Sequence, residues 1–399
     1  MTAADRAPGR IAPPWLDLPA TRAVTALLTD AGHRALFVGG CVRNALMARP
    51  GADTGTDVST DIDIATDALP ETVIRLAEAS GRLKAVPTGL AHGTVTLVAD
   101  GRPFEVTTFR RDVETFGRHA TVAFTTDPAE DAARRDFTMN ALYAEPDGMV
   151  LDPLGGIVDL RARRVRFVGD PGQRIAEDYL RILRFFRFHA WYGDPEGGLD
   201  AEGLAACAAA QDGLDQLSRE RVGAEMRKLL AAPDPAPALA AMAASGILAR
   251  VLPGADPRAL APLVAAEAAA GTAPRWERRL AALGDAPDWE TGLRLSRAEI
   301  RALAATRRAL AEPGPAAAAF RHGAEAARDA ALIGASIGGT APPAALEAEL
   351  ARGGAARLPV RAADLPLRGR ALGAALDRIE ADWIASDFRL TADELLARL

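Results

Sequence analysis

The sequence predicts an α+β head carrying a mixed sheet, followed by an all-helical C-terminal region. Three observations predict it. Short β-branched or aromatic runs recur between Arg34 and Val168, at Ala35 to Val38, Asp61 to Ile64, Thr94 to Val98, Phe104 to Phe109 and Val165 to Val168. Helical patterns such as Pro70 to Ala79 are interleaved with them. After Gly169 the strand signals stop, and Ala, Leu, Arg and Glu at helical spacing continue to Leu399, broken at Pro233 to Pro237, Pro253 to Pro262 and Pro313 to Pro315. A chain of 399 residues fits two or three domains, and the change of texture divides it near residue 170.

With 49% hydrophobic and 25% charged residues the chain has the make-up of an ordinary soluble protein, which excludes disorder as its dominant state. Only Lys84 and Lys228 among the 47 basic residues are lysines, so the cations are nearly all planar guanidinium forks suited to phosphate or carboxylate. A net charge of −6 excludes a uniformly basic nucleic-acid coat, though not a local patch. Cys41 and Cys207 lie far apart with no Cys or His at metal spacing, so neither a disulfide framework nor zinc is expected. A reducing cytoplasm is the expected setting. No export signal or membrane span is readable, because apolar runs are broken by Asp, Arg and Pro well before the ~18 residues a span needs.

The first element with chemical content runs from Leu36 through Gly39, Gly40 and Cys41 to Arg43: a buried strand, a Gly-Gly turn and an amphipathic helix. Glycines at such a junction let backbone approach phosphate oxygens, and the helix N-terminus adds partial positive charge. Alone, Gly-Gly here is usually just a tight turn. The second is Asp61-Ile62-Asp63-Ile64. On a strand the two carboxylates face one way, about 6 to 7 Å apart, while Ile62 and Ile64 enter the core. Paired carboxylates are hard oxygen ligands of the kind Mg²⁺ takes. An isolated pair is more often a solvated strand face, but Glu105, projecting opposite Phe104 and Val106, supplies a third acid. Three acids on adjacent strands behind a Gly-Gly turn suggest a two-metal phosphoryl-transfer centre.

The third element is Arg134-Arg135-Asp136-Phe137-Thr138-Met139-Asn140, where arginines can bind triphosphate and Asp136 and Asn140 can reach ribose hydroxyls or orient the arginines. The fourth is Glu177-Asp178-Tyr179-Leu180-Arg181-Ile182-Leu183-Arg184-Phe185-Phe186-Arg187. Residues three apart neighbour each other on a helix, so Asp178 and Arg181 can present an acceptor and a donor fork side by side. Cytosine and adenine both show an amino group beside an unprotonated ring nitrogen, whereas uracil and guanine show a carbonyl beside N–H. A carboxylate and a guanidinium so placed accept C and A and reject U and G. A spacing of three drifts about 60° per step, which turns Arg187 away from Asp178 and favours Arg184 as the triphosphate contact. Without the other motifs, this stretch reads as an i,i+3 ion pair on a helix that buries Leu180, Leu183 and Phe186.

The ordered set GGCVRN, DID, FEVTTFR, ARRDFTMNAL, LDPLGGIVDL, AEDYLRILRFFRF and LSRERVGAEMRKLL, over about residues 20 to 230, resembles the class II tRNA nucleotidyltransferases (CCA-adding enzymes) and bacterial poly(A) polymerases. The resemblance implies a nucleotidyltransferase head of the polymerase β type, 1–168, then a helical neck with a base-selecting helix, 169–230, and a body and tail that hold RNA, 231–399. It implies Mg²⁺ as cofactor, on Asp61 and Asp63, with Glu105 as third ligand or base. By match, Gly39, Gly40, Arg43, Arg135, Asp136 and Asn140 belong to the nucleotide site. Asp178 and Arg181 would select the base, and Arg184 and Arg187 would complete the pocket. The implied activity is untemplated addition of C and A from CTP and ATP to the tRNA 3′ end, with the acceptor and T arms as the RNA contacted. Arg161 to Arg187 provides eight arginines against three acids for backbone contacts. Asn44 departs from the family, which often has Asp there, and Ala45 to Thr60 is a longer connection than usual. Beyond Lys228 the likeness fades, with no phosphohydrolase His-Asp signature, so no appended hydrolase is expected. A poly(A) polymerase shares every catalytic residue; CC-only or A-only addition, and an inactive RNA-binding module, are the other readings.

Overall fold

Alternation decides the sheet. In the strand Thr94–Ala99 the residues Val95, Leu97 and Ala99 are buried while their neighbours are not, and Ile62, Ile64, Phe104 and Val106 repeat the pattern on adjoining strands. The computed structural model describes residues 9–47, 62–116 and 119–399, with side chains throughout except at 112–122. Its strands are β1 (Leu36–Val38), β2 (Asp63–Thr66), β3 (Lys84–Gly89), β4 (Thr94–Ala99), β5 (Arg102–Thr108), β6 (Arg110–Phe116), β7 (His119–Phe124), β8 (Tyr143–Ala144) and β9 (Val150–Leu151). Seven form one sheet in the order β3-β4-β5-β2-β1-β8-β9, and β6 and β7 form a separate ribbon. The larger sheet is mixed: β2 and β5 run parallel, Asp63 opposite Glu105, and the other pairs are antiparallel.

Helices α1 (Pro19–Thr29), α2 (Gly40–Leu46), α3 (Pro70–Ser80), α4 (Pro128–Ala133) and α5 (Gly156–Arg161) belong with this sheet. Val24 and Leu28 of α1 and Val73 and Ala77 of α3 are buried where the two helices pack on β4. Proline at the first position starts α1, α3 and α4, where its missing N–H costs nothing. The expected runs at Ala35, Thr94 and Phe104 become β1, β4 and β5, and β2 begins at Asp63; Asp61 lies outside the described residues. The Val165 to Val168 run is a correction. It makes only a single bridge, Phe137 to Phe167, because the partner segment turns into a 3-10 helix at Thr138 and cannot extend the ladder. Conversely β3 is an edge strand that buries no residue fully, so it left no alternation in the sequence.

After the sheet come α6 (Pro171–Glu177), α7 (Leu180–Tyr192), α8 (Ala201–Ala209), α9 (Arg219–Leu230), α10 (Ala236–Ala244) and α11 (Ile247–Val251). Asp170 caps α6 by accepting from Gln173 N at 2.6 Å, and Asp200 caps α8 by accepting from Gly203 N at 3.0 Å. One face of α7 carries Phe185 and Phe188 into an aromatic cluster with Phe137 and Phe167, ring centroids 4.9 to 6.4 Å apart, which ties the helix to the sheet-bearing part. On another face α7 packs along α9.

The chain divides into two compact units, 1–255 with 286–294, and 256–285 with 295–399. The short α12 (Leu260–Ala269) and α13 (Trp276–Ala282) belong to the second, α14 (Asp288–Gly292) to the first, and α15 (Arg297–Ala309), α16 (Pro315–His322), α17 (Ala324–Gly338), α18 (Leu346–Ala355), α19 (Gly369–Ala385) and α20 (Ala392–Leu396) again to the second. There α12, α13 and α17 are joined by buried ion pairs: Arg278 to Glu267 at 2.7 Å and to Asp329 at 2.8 Å, and Arg279 to Glu267 at 2.7 Å. Each charge has its partner, which is the condition for burying them at all. No strand occurs after Leu151 among the described residues, and no helix among them is long and apolar enough to cross a membrane.

Candidate functional site

A cavity of about 510 Å³ opens in the first unit between the end of β1, strands β2 and β5, the 135–140 segment, α7 and α9. Its floor is acidic. Asp63 and Glu105 face it as opposed residues on parallel neighbouring strands, a separation of about 5 Å between backbones. Both are exposed while Ile64, Phe104 and Val106 beside them are buried, the alternation that the sequence called for. Asp61, the other expected carboxylate, falls outside the described residues. Cys41 begins the helix beside this floor. Burial, then the Asp63 charge, pushes its thiol up to about 12, so it is neutral at pH 7 and not a nucleophile.

The roof is made of guanidinium groups on fixed mounts. Gly39 precedes α2 with φ +71°, a backbone conformation that favours glycine, while a Cβ there would make only ordinary contact with Arg135 Nη1 at 3.7 Å. Arg43, 2% exposed, donates to Asn140 Oδ1 at 2.7 Å, to Tyr192 Oη at 2.6 Å, and through Nε and Nη2 to Asn44 Oδ1 at 3.1 and 3.0 Å. Asn44, the departure from the family pattern, thus keeps a two-pronged contact to Arg43 with a neutral amide oxygen in place of a carboxylate. The guanidinium also lies 3.9 Å from the Tyr192 ring centroid.

Asp136 is the hub of the 134–142 segment. It accepts from Asn140 Nδ2 at 2.9 Å, from its neighbour Phe137 N at 2.8 Å, and from Arg184 at 2.5 and 2.8 Å. Burial opposes its charge, but Arg184 and these donors outweigh burial and hold the carboxyl far below its ordinary range. Asp136 and Asn140 thus each contact an arginine of the cavity, Arg184 and Arg43 respectively. Arg135 is held in turn by Asp131 at 3.0 Å and by Tyr143 Oη at 3.1 Å.

Asp131 itself is 1% exposed and pairs with both Arg134 and Arg135. Burial raises its pKa and the two arginines lower it more, to about 2. A depressed carboxylate stabilises the fold above its unfolded value and loses that contribution as pH falls through its folded one. Asp131→Asn should therefore cost about 2 kcal/mol at pH 7, with the difference closing as pH drops from about 4 toward 2. Urea unfolding of both proteins across that range checks it, and a gap independent of pH would refute the ion-pair account.

The side chains of Asp178 and Arg181 have different partners. Asp178 precedes α7 with extended backbone, its Oδ1 accepting from Leu180 N at 3.1 Å and its Oδ2 from Arg221 of α9 at 2.6 Å. Arg181 donates instead to Glu177 at 2.5 Å, to Arg174 O at 2.7 Å and to Arg134 O at 3.2 Å. The chain bends between α6 and α7, so Asp178 stands just before the helix and Arg181 in its first turn, linked by the backbone bond from Arg181 N to Asp178 O at 3.0 Å. Neither residue lines the cavity, whereas Arg184 and Arg187 both do. Arg187, which an ideal helix turned away, reaches it by pairing with Glu225 of α9 at 2.6 Å. Tyr179 is pinned beside Asp178 by Gly213, where any Cβ would come within 2.0 Å of its ring.

Arg221, Glu225, Lys228, Tyr192, Asp131 and Tyr143 received no role from the sequence. The first three lie in LSRERVGAEMRKLL at spacings of four and three, one face of α9, and that periodicity was the signal available.

Residues 35–166 match the family model described as the poly A polymerase head domain, and residues 199–258 match that of the probable RNA and SrmB- binding site of polymerase A. The chain is 41% identical over 210 residues to the human mitochondrial CCA tRNA nucleotidyltransferase 1, covering 52% of this chain and 46% of that protein. It is 41% identical over 215 residues to the CCA-adding enzyme of Bacillus cytotoxicus, 53% of this chain and 50% of the other. The matched segment spans about half the length of these curated relatives. Over nearly its whole length it superposes on the Bacillus stearothermophilus CCA-adding enzyme solved in complex with CTP, with TM-score 0.72, 30% identity and 94% of each chain covered. A likeness that carries through both the sheet-bearing part and the helical remainder places this chain in the class II CCA-adding enzyme family.

Proposed function

We propose that this chain adds C and A nucleotides to the 3′ end of tRNA without a nucleic-acid template. The observation that carries the reading is the cavity in which Asp63 and Glu105, in register on parallel strands, face a roof of anchored arginines. The RNA 3′-hydroxyl attacks the α-phosphorus of CTP or ATP; the new O3′–P bond forms as the bond to the bridging oxygen breaks and pyrophosphate leaves. Arg43, Arg135, Arg184 and Arg187 hold the nucleotide, their forks fixed by Asn140, Asp131, Asp136 and Glu225, so little ordering is left for the moment of reaction.

The donor set suits Mg²⁺: Asp63 and Glu105 are exposed carboxylates at matched strand positions, and the thiol beside them, Cys41, is buried and neutral. Asp63, Asp61 and Glu105 are the residues that would hold it. When bound, the ion lowers the pKa of the attacking hydroxyl and neutralises charge on the departing pyrophosphate.

Asp178 and Arg181 select the base in this reading. Leu180 N and Arg221 orient the two oxygens of Asp178, a carboxylate acceptor suited to the amino group of C or A. Residues 1–168 supply the chemistry, 169–230 the selection and 231–399 the grip on RNA. A cytoplasmic setting is part of the reading and is supported by the two free, buried thiols.

Incubating the protein with tRNA lacking its last three nucleotides, and each NTP alone or combined, tests the proposal. Two C from CTP alone and CCA from both are expected. A long A tail from ATP alone would make it a poly(A) polymerase, and no extension would refute transfer. RNA contacts made to phosphate and shape should weaken steeply with salt, log K against log[salt] sloping about −3 or steeper, and be indifferent to the anticodon. A minihelix of acceptor and T arms should then compete nearly as well as whole tRNA in a binding assay; strong discrimination against it would mean that another part of tRNA is read.

A further inference from the structure

We propose that Lys228 is the mobile cation that receives the phosphate chain of the incoming nucleoside triphosphate; the inference rests on the transferase reading above and adds a residue to that site. Five cations line the cavity, and they fall into two kinds. Arg43, Arg135, Arg184 and Arg187 each have their fork committed to the protein. Arg184 gives two N–H groups to Asp136, Arg187 pairs with Glu225, Arg135 with Asp131, and Arg43 is held by Asn44, Asn140 and Tyr192. Three of the four have a carboxylate counter-charge within 3.0 Å, so they offer direction more than net attraction. Lys228 differs. Its side chain is exposed, lines the same cavity, and has no hydrogen bond or ion pair among the described residues.

The backbone beneath that ammonium is fixed. Trp191 Nε1 of α7 donates to Lys228 O at 2.8 Å, and α9 packs along α7. What can move is the four-carbon stem, ending in three donors with no preferred plane. A triphosphate brings about four negative charges over a floor that already holds Asp63 and Glu105. Anchored forks whose charge is matched cannot balance that alone, whereas an unpaired ammonium can, and it can follow the β- and γ-phosphates as pyrophosphate departs. The composition sharpens the point. Only two of the 47 basic residues are lysines, and one of them stands in this wall among arginines.

The test is equilibrium titration of the full chain with CTP and with ATP, comparing wild type, Lys228→Met and Lys228→Arg. Lys228→Met should raise the Kd of both nucleotides by the same factor, about 10-fold, equivalent to about 1.4 kcal/mol. Lys228→Arg, which keeps the charge, should stay within about 3-fold of wild type. Inorganic tripolyphosphate should compete with CTP, and its competition should weaken by the same ~10-fold in Lys228→Met. Affinity for tRNA should be unchanged. An unchanged CTP Kd in Lys228→Met overturns the assignment. So does a loss of tRNA affinity with CTP binding intact, which puts the ammonium on an RNA phosphate, or a divergence between CTP and ATP, which puts it at the base. Binding needs no turnover, so a chain that binds CTP but extends no RNA refutes the transferase reading while the Lys228 result still stands or falls by its own Kd.

Discussion

Asp63→Ala is expected to lower turnover at least ~10³-fold while leaving RNA affinity intact. The magnitude follows from position. Asp63 is the described carboxylate of β2 that faces Glu105 across the cavity floor, and its loss removes a hard oxygen ligand, one of the three carboxylates that would centre a cation there. Asp61→Ala should match it. The fold should not suffer, because Asp63 is exposed and its strand is held by Ile62 and Ile64, 1% and 0% exposed. Single-turnover extension of tRNA in Mg²⁺, alongside filter binding of the same RNA, separates the two readouts. Near-normal extension by either variant removes the metal assignment, and a parallel fall in RNA affinity would mean that the floor holds RNA and not the reacting phosphates.

Asp178→Ala should change specificity more than rate. CTP and ATP use should fall together and their advantage over UTP and GTP should shrink by roughly 5 to 150-fold, the worth of 1 to 3 kcal/mol for a polar group left unpaired. Asp63 and the anchored arginines keep the chemistry available, so residual incorporation is expected. The variant should fold: Arg221, released from Asp178, is about one-third exposed and can turn to water. Arg221→Met should act in the same direction but more weakly, because Asp178 keeps its bond from Leu180 N and loses only the donor that orients Oδ2. Incorporation of all four nucleotides, measured one at a time, decides the matter. If Asp178→Ala keeps the preference for C and A, base selection resides elsewhere and Asp178 is the acceptor for Leu180 N and the counter-ion of Arg221.

What the sequence determined by itself is what depends on neighbours in the chain. Period-two burial placed Ile62, Ile64, Phe104 and Val106 inside, and so Asp63 and Glu105 outside. The Gly39-Gly40 turn, the helix over Pro70 to Ala79 and the end of strand signals were legible for the same reason: each is a local preference of a few residues, written in glycine, proline and spacing. The ordered motifs over about residues 20 to 230 carry the family likeness by themselves.

The tertiary structure alone decided who pairs with whom. The Asp178 carboxylate met the side chain of Arg221 and not that of Arg181, 43 residues against three, because a bend between α6 and α7 leaves Asp178 just before the helix and α9 comes up beside it. Arg187 entered the cavity against the ideal-helix argument because Glu225 draws it there, and Arg184 was claimed by Asp136 across 48 residues. Val165 to Val168 had strand composition but no extended partner, and β3 had a partner but no buried face. A charged side chain of four or five rotatable bonds is placed by whichever counter-charge the fold brings within about 3 Å, and no period in the sequence encodes that choice.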